Sequence, residues 1–200
     1  MDMERLLWSL ADRYAPASQV PHLRPTWFDH AGDLVVADGR VIWETPWETE
    51  AGFSHALPAG AHPVFAGTRV YPQDSGAVRH VVTMIVIPVA EPARIAAAKW
   101  GDPGYDDIHR IEDYAILWGG EARRAAPQSD DDVPSFFPGA RDRITAEGPH
   151  RRQDNWVEVV VDRETGVNAF VFPVEAELVD GFEIVDEEEN LLCLVLTAYS

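Results

Sequence analysis

Two tryptophans, Trp43 and Trp47, have the type and spacing needed to contact a ligand directly. In an extended strand, side chains four residues apart lie on one face, and Glu44, Glu48 and Glu50 occupy the other. An exposed aromatic pair could stack on a sugar or anchor a peptide. We favour the alternative, in which both tryptophans pack on a sheet core and the acids face water, because large aromatic side chains are usually buried.

The C-terminal half of the chain is strongly acidic. The chain has 34 acidic and 16 basic side chains, for a formal net charge of −18, and no Lys or Arg follows Glu164. The candidate binding residues in this half are Glu175, Glu177, Glu183, Glu187, Glu188 and Glu189. A field of this kind attracts basic partners, although the same acids could serve only to keep a strand-rich domain soluble.

Charge and composition also exclude several classes of partner. A net charge of −18 opposes binding to phosphate backbones, so we expect no nucleic-acid partner. No apolar run reaches the roughly 18 residues of a membrane span, and the acidic start of the chain lacks the apolar region of a signal peptide. Because Cys193 is the single cysteine, no intrachain disulfide can form. We therefore predict a cytoplasmic protein that has no membrane partner.

Motifs for covalent, nucleotide or metal chemistry are missing from the sequence. The chain contains no G-x-S-x-G, Walker A or GxGxxG sequence. Cys193 lies in the apolar run LLCLVL, where a cysteine is usually an inert buried side chain. Histidine and carboxylate are neighbours at His30 and Asp33 and again at 106–109, but without the H-E-x-x-H spacing of a zinc site. We predict no catalytic residue, no metal site and no cofactor.

Apolar periodicity predicts one helix near the start of the chain, followed by strands. Residues 3–14 place four apolar side chains on one helical stripe, and Pro16 ends the helix. Residues 15–31 contain three prolines and are predicted to form an extended arm. From residue 33 the period becomes two, and the Asp-Gly pair at 38–39 predicts a type I′ hairpin between two short strands.

Longer apolar runs predict the body of the fold. Residues 78–89 are apolar on both faces, so we place this strand centrally in a sheet that is covered on both sides. A strand is predicted at 62–70 and a short helix at 91–100, whereas 107–118 fits a helix or a strand.

Two hairpins are predicted at the C-terminal end, one pairing 155–162 with 166–173 and the other pairing 181–186 with 190–198. We expect the strands at 156–162, 167–172 and 190–198 to join the strand at 78–88 in one sheet system. The side chains predicted to be buried there are Val82, Met84, Val86, Val159, Phe170, Leu192 and Leu194.

These landmarks occur in the same order in a known family. This chain resembles the bacterial family of unknown function numbered 4241 in three segments: GDLVVADGRVI at 32–42, LPAGAHPV at 57–64 and the apolar strand after them. NWVEVVVD at 155–162 and GVNAFVF at 166–172 are similar to its C-terminal end. The family has a glycine-rich stretch where this chain keeps only Asp-Gly-Phe at 180–182. The resemblance implies a mostly β fold and brings no reaction with it.

Together these observations predict a mainly β, α+β fold with antiparallel sheets and hairpins, an N-terminal helix and one or two short helices. We expect one domain, 1–200, with the helix and arm in 1–31 and a β-rich body in 32–200. The predicted function is that of a non-catalytic acidic interaction protein, and its concrete version is an immunity-type protein that binds a basic effector. The alternative is a small-molecule or carbohydrate-binding domain, or a hydrolase, that uses Trp43, Trp47 and nearby carboxylates.

Overall fold

The computed structural model confirms the mainly β, α+β fold. The residues it describes are 1–16, 18, 21–44, 53–72, 76, 78–101, 114–129, 133–145, 156–174 and 178–199. Their strands are β1 (Trp27–Val36), β2 (Val41–Glu44), β3 (Gly60–Pro72), β4 (Val78–Pro88), β5 (Tyr114–Gly119), β6 (Val157–Val160), β7 (Asn168–Pro173), β8 (Leu178–Val185) and β9 (Leu191–Tyr199). Their helices are α1 (Met3–Tyr14), α2 (Pro92–Ala97), α3 (Gly120–Ala125) and α4 (Phe137–Thr145).

The strands form two antiparallel sheets rather than the one sheet system that the sequence predicts. The five-stranded sheet has the order β1-β3-β4-β9-β8, and the four-stranded sheet has the order β2-β5-β7-β6. An apolar cluster lies between them and draws side chains from both sheets, among them Val82 and Ile85 of β4 and Phe170 and Phe172 of β7. Both terminal hairpins are confirmed, but β6 and β7 pair in one sheet and β8 and β9 in the other.

Helices cover the outer face of each sheet. Helix α1 begins at its cap Asp2, whose side chain accepts a hydrogen bond from the backbone N–H of Arg5 at 2.8 Å. The helix buries its apolar stripe on the five-stranded sheet together with Ile95 of α2. Ala122 of α3 and Ile144 of α4 pack on the other sheet in the same way. The layers therefore follow the order helix, sheet, sheet, helix.

Strand β4 has the central, doubly covered position that its apolar run predicts. It lies between β3 and β9 in the sheet. Val82 and Ile85 face the cluster between the sheets, while Met84 and Val86 face α1. Six of the seven side chains predicted to be buried are buried. Val159 is the exception and is only partly buried, because β6 is an outer strand of its sheet.

The hairpin predicted at 38–39 is wrong. The turn exists, and Gly39 has the positive φ of +78° that an Asp-Gly turn requires. The strands beside it nevertheless enter different sheets, since β1 pairs with β3 and β2 pairs with β5. All four side chains of β2 are buried, so this strand needs cover on both faces and a surface hairpin cannot provide it. The predicted arm is also too long, because β1 already begins at Trp27.

Candidate functional site

The turn between β8 and β9, which we call the acidic turn, comprises residues 186–190. Asp186 organises it, because its Oδ1 accepts hydrogen bonds from the backbone N–H groups of Glu188 at 3.0 Å and Asn190 at 2.9 Å. The Asn190 side chain donates to both carboxylate oxygens of Asp186. Glu189 adopts a left-handed φ of 63° that closes the turn. The side chains of Glu187, Glu188 and Glu189 are all exposed.

The carboxylate of Asp186 is taken up by hydrogen bonds and an ion pair within the protein, so its charge is not among those that the turn presents to solvent. The Asn190 N–H lowers the pKa of Asp186 most, burial opposes that shift, and the Asn190 side chain, Arg94 and the Glu188 N–H lower the pKa further. Arg94 of α2 forms an ion pair with the same carboxylate. Arg94 is thus engaged with Asp186. The three glutamates that follow Asp186 in the sequence present their charge to solvent.

A surface groove lies beside the acidic turn. Its volume is about 480 Å³, and it is lined by Met3, Pro63, Pro88, Val89, Ala90, Glu91, Pro92 and Arg94. We call it the proline groove. The backbone N–H groups of Val89 and Ala90 both donate to Leu192 at the start of β9, which fixes the floor of the groove next to the turn. The Arg94–Asp186 ion pair links the two features directly.

Glu183 does not belong to the exposed acidic surface, contrary to the sequence prediction. Its side chain is 16% exposed and accepts hydrogen bonds from the segment that carries Ser54 and His55. Oε1 accepts the backbone N–H groups of both residues, at 2.5 and 3.1 Å. Oε2 accepts the Ser54 hydroxyl at 2.5 Å and contacts Nδ1 of His55. Burial raises the pKa of Glu183, but these donors outweigh it and the net pKa is lowered.

The Ser54–His55–Glu183 cluster does not have the geometry of a serine nucleophile. In such a triad the carboxylate and the hydroxyl contact opposite nitrogens of the imidazole. Here the Ser54 hydroxyl donates to the carboxylate and lies 3.4 Å from Nδ1, the nitrogen that faces Glu183. An ionised carboxylate only accepts hydrogen bonds, so Nδ1 carries the proton. The cluster therefore pins residues 54–55 to β8 and orients the His55 ring.

Trp43 is buried, which confirms the packing interpretation at this residue. It is 3% exposed, and its ring centroid lies 6.3 Å from that of Phe172 in the cluster between the sheets. Glu44 does not face water as predicted. Its Oε1 accepts hydrogen bonds from Trp118 Nε1 at 3.0 Å and Arg123 Nε at 3.1 Å, so the charge is neutralised where it is buried. The predicted residues that lie outside the described part of the chain are Trp47, Glu48, Glu50, Glu175 and Glu177.

Two further described histidines, His30 and His62, each contact one polar group. His30 and Asp33 form an exposed pair with 3.2 Å between Nε2 and Oδ1. His62 is buried and contacts the carbonyl oxygen of Pro58 at 2.7 Å through Nε2, which fixes the turn before β3. Within the described ranges, no three His, Cys, Asp or Glu side chains are grouped closely enough to hold a metal ion. The segment 106–109 lies outside those ranges.

The helices in the described residues are all too short or too polar to cross a membrane. Comparison of the chain with family models, with curated proteins and with solved structures finds no match in any of the three. The resemblance to family 4241 stays a prediction from its residue motifs. Among the residues that the structure describes, the geometry provides two candidate sites: the acidic turn with its adjoining groove, and the Ser54–His55–Glu183 cluster.

Proposed function

We propose that this protein is a non-catalytic interaction protein of the cytoplasm that binds a basic protein through the acidic turn. The observation that carries the proposal is the arrangement of Glu187, Glu188 and Glu189 as three exposed charges on a turn that Asp186 holds in place. A charged surface that is already ordered loses little conformational entropy when a partner binds. It also increases the rate at which an oppositely charged partner associates.

Internal ion pairs leave the excess of negative charge unchanged. Several arginines are paired within the protein, through the contacts Arg24–Asp12, Arg94–Asp186, Arg123–Glu44 and Arg124–Asp38. Each pair removes one positive and one negative charge from the set that could face a partner. With a formal net charge of −18, the outward field is negative, which favours a basic partner and opposes an acidic one.

An immunity-type role is the concrete form of this proposal. In that role the protein would cover the basic surface of an effector such as a nuclease, whose substrate-binding face must itself be positively charged. The complementary charge of the acidic turn supports this version. It requires no catalytic residue in this chain.

Charge reversal at the acidic turn tests the proposal. The variant E187K/E188K/E189K is compared with E121K/D142K/E164K, which has the same net charge but is altered on α3, on α4 and in the turn before β7. Both are used with the wild type to capture proteins from lysate of the source cells. Captured basic proteins are then measured for association rate at several salt concentrations.

We expect the reversal at 187–189 to lose a basic protein that the wild type and the matched variant retain. Its residual association should also depend less on salt. If all three forms capture the same proteins, or if none captures a basic protein, the proposal is wrong.

A small-molecule-binding or hydrolytic function is the second candidate, and His55 is the observation that favours it. Glu183 orients its ring and holds the proton on Nδ1, so Nε2 of the neutral ring has a lone pair that can accept a proton or bind a ligand. The burial of Trp43 does not support its predicted role in such a site. Hydrolysis of ester or glycoside substrates by the wild type, and its loss in His55→Asn, would support this candidate over the first.

A further inference from the structure

We propose that the proline groove binds a short, extended segment of the basic partner, in which arginines alternate with apolar residues. This inference rests on the proposed function, since it names the part of the partner that the acidic turn attracts. The groove would receive the apolar side chains and the arginine stems, and the acids around it would bind the guanidinium groups.

The groove walls offer apolar surface from four separate elements. Pro63 comes from β3, Pro88 from the end of β4, Pro92 from the first turn of α2 and Met3 from the first turn of α1. Proline has no backbone N–H, so these walls present rings rather than hydrogen-bond donors. Aliphatic stems of long basic side chains pack well on such surfaces while their charged ends reach polar groups at the rim.

Acidic residues lie in the lining of this groove and next to it in sequence. Glu91 lines the groove and is exposed, and it makes no side-chain capping bond to α2. Asp2 and Glu4 flank Met3 and are exposed as well. The acidic turn adjoins the groove through the Arg94–Asp186 pair, which uses the charge of the arginine in the lining. An apolar floor with a negative rim matches a partner segment that carries both apolar and basic side chains.

Size and charge argue against other occupants. About 480 Å³ accommodates a few side chains rather than a whole helix. A second copy of this chain carries the same charge of −18 and is repelled. Nucleic acid and anionic lipid are repelled for the same reason. A purely apolar peptide would leave the acidic rim without a partner.

The test uses synthetic peptides as probes. A fluorescein-labelled octapeptide of alternating arginine and leucine is titrated with the full-length protein and followed by anisotropy at low and physiological salt. One control peptide replaces every leucine with serine, and the other replaces every arginine with glutamine. Shifts in the amide NMR signals of residues 3, 89–91, 93 and 94 report where the peptide binds.

Two groove variants keep the test decisive. Ala90→Phe fills the groove, and Glu91→Lys reverses one rim charge at a side chain that makes no capping bond. Glu164→Lys is the matched control for the second variant. Circular dichroism and thermal unfolding establish that each variant is folded. We expect the alternating peptide to bind the wild type and the Glu164→Lys control, and each groove variant to weaken it about tenfold.

The outcomes separate this inference from the proposed function. If E187K/E188K/E189K loses the basic protein from lysate while Ala90→Phe and Glu91→Lys leave peptide binding unchanged, the proposed function stands and the groove assignment is wrong. If the groove variants block the peptide and the reversal at 187–189 changes no binding, the groove binds basic segments and the acidic turn does not. Equal affinity for the serine-containing control peptide would overturn the groove assignment, since charge alone would then account for binding.

Discussion

The side-chain oxygen of Asn168 accepts a hydrogen bond from the backbone N–H of Val35 at 2.8 Å, and this bond joins the two sheets. The Asn168 Nδ2 group donates to the carbonyl oxygen of Asp33, also at 2.8 Å, and to Oε1 of Glu158 at 2.7 Å. β1 is an outer strand, so one row of its backbone groups has no strand beside it. One buried amide thus supplies both a donor and an acceptor to that edge and fixes β7 against β1.

Replacing Asn168 with alanine should therefore destabilise the protein by about 3 kcal/mol. The change leaves a backbone donor and a backbone acceptor without their partner, and each such buried group costs about 1–3 kcal/mol. Urea unfolding measures the loss. Glu158→Gln is the matched control, because glutamine keeps the Oε1 acceptor and should change stability by less than about 1 kcal/mol. A similar small loss for Asn168→Ala would mean that water replaces both bonds.

The hydrogen bonds to Glu183 predict a pH-dependent contribution to stability. Its folded pKa is lowered below the ordinary value of 4.5, so the unfolded state binds the proton more readily. The contribution is therefore complete above pH 4.5 and is lost as pH falls through the folded pKa. Glu183→Gln should cost about 1–3 kcal/mol at pH 7. In unfolding experiments between pH 7 and pH 3, the difference from wild type should shrink below pH 4.5. A constant difference across this range would contradict the assignment.

Two glycine-to-alanine changes should have opposite effects. A Cβ at Gly67 would lie 2.7 Å from Cγ of Pro25 and 2.8 Å from a ring carbon of Phe28, so Gly67→Ala should destabilise by about 1–3 kcal/mol. A Cβ at Gly139 in α4 meets no atom within 4 Å, so Gly139→Ala should stabilise by up to about 1 kcal/mol. Thermal unfolding of the two variants measures the sign of each change in stability. Stabilisation by Gly67→Ala would show that the segment around Pro25 moves away freely.

Cys193 should be unreactive in the native protein. The side chain is fully buried, and burial raises the pKa of its thiol far above the usual range, so the reactive thiolate is rare. A thiol reagent at pH 8 should label the wild type only as fast as the protein unfolds. Glu188→Cys in the acidic turn is the positive control and should be labelled within seconds. Rapid labelling of Cys193 in native buffer would rule out this packing.

Elements with a complete local signal could be predicted from the sequence. Helix α1 has a capping aspartate, an apolar stripe and a proline after its end, and its bounds agree with the prediction. Strand β4 is apolar on both faces, and a strand of that kind belongs in the middle of a covered sheet. The C-terminal hairpins combine strand patterns with turn residues. In each case the sequence signal lies within about two dozen residues.

Features that depend on distant partners could not be predicted. The Asp-Gly turn at 38–39 was recognised, but the partner of β2 is β5, more than seventy residues further along the chain. Glu183 resembles its acidic neighbours in sequence, and its hydrogen-bond donors at Ser54 and His55 are 128 to 129 residues away. No spacing rule connects such positions. The negative charge of the acidic turn could be predicted from the sequence. The groove beside it could not, because its walls come from four elements that meet only in the folded protein.

The position of β9 has a consequence for synthesis of the protein on the ribosome. β9 pairs with β4 on one side and β8 on the other, so an interior position of the five-stranded sheet is filled by a strand more than a hundred residues after β4. Until β9 has been synthesised, one edge of the apolar strand β4 has no strand paired with it. Open apolar edges are sites of aggregation, and such long-range pairing is slow. Completion of the five-stranded sheet should thus wait until β9 has been synthesised, and a nascent chain stalled before residue 191 should depend on chaperones.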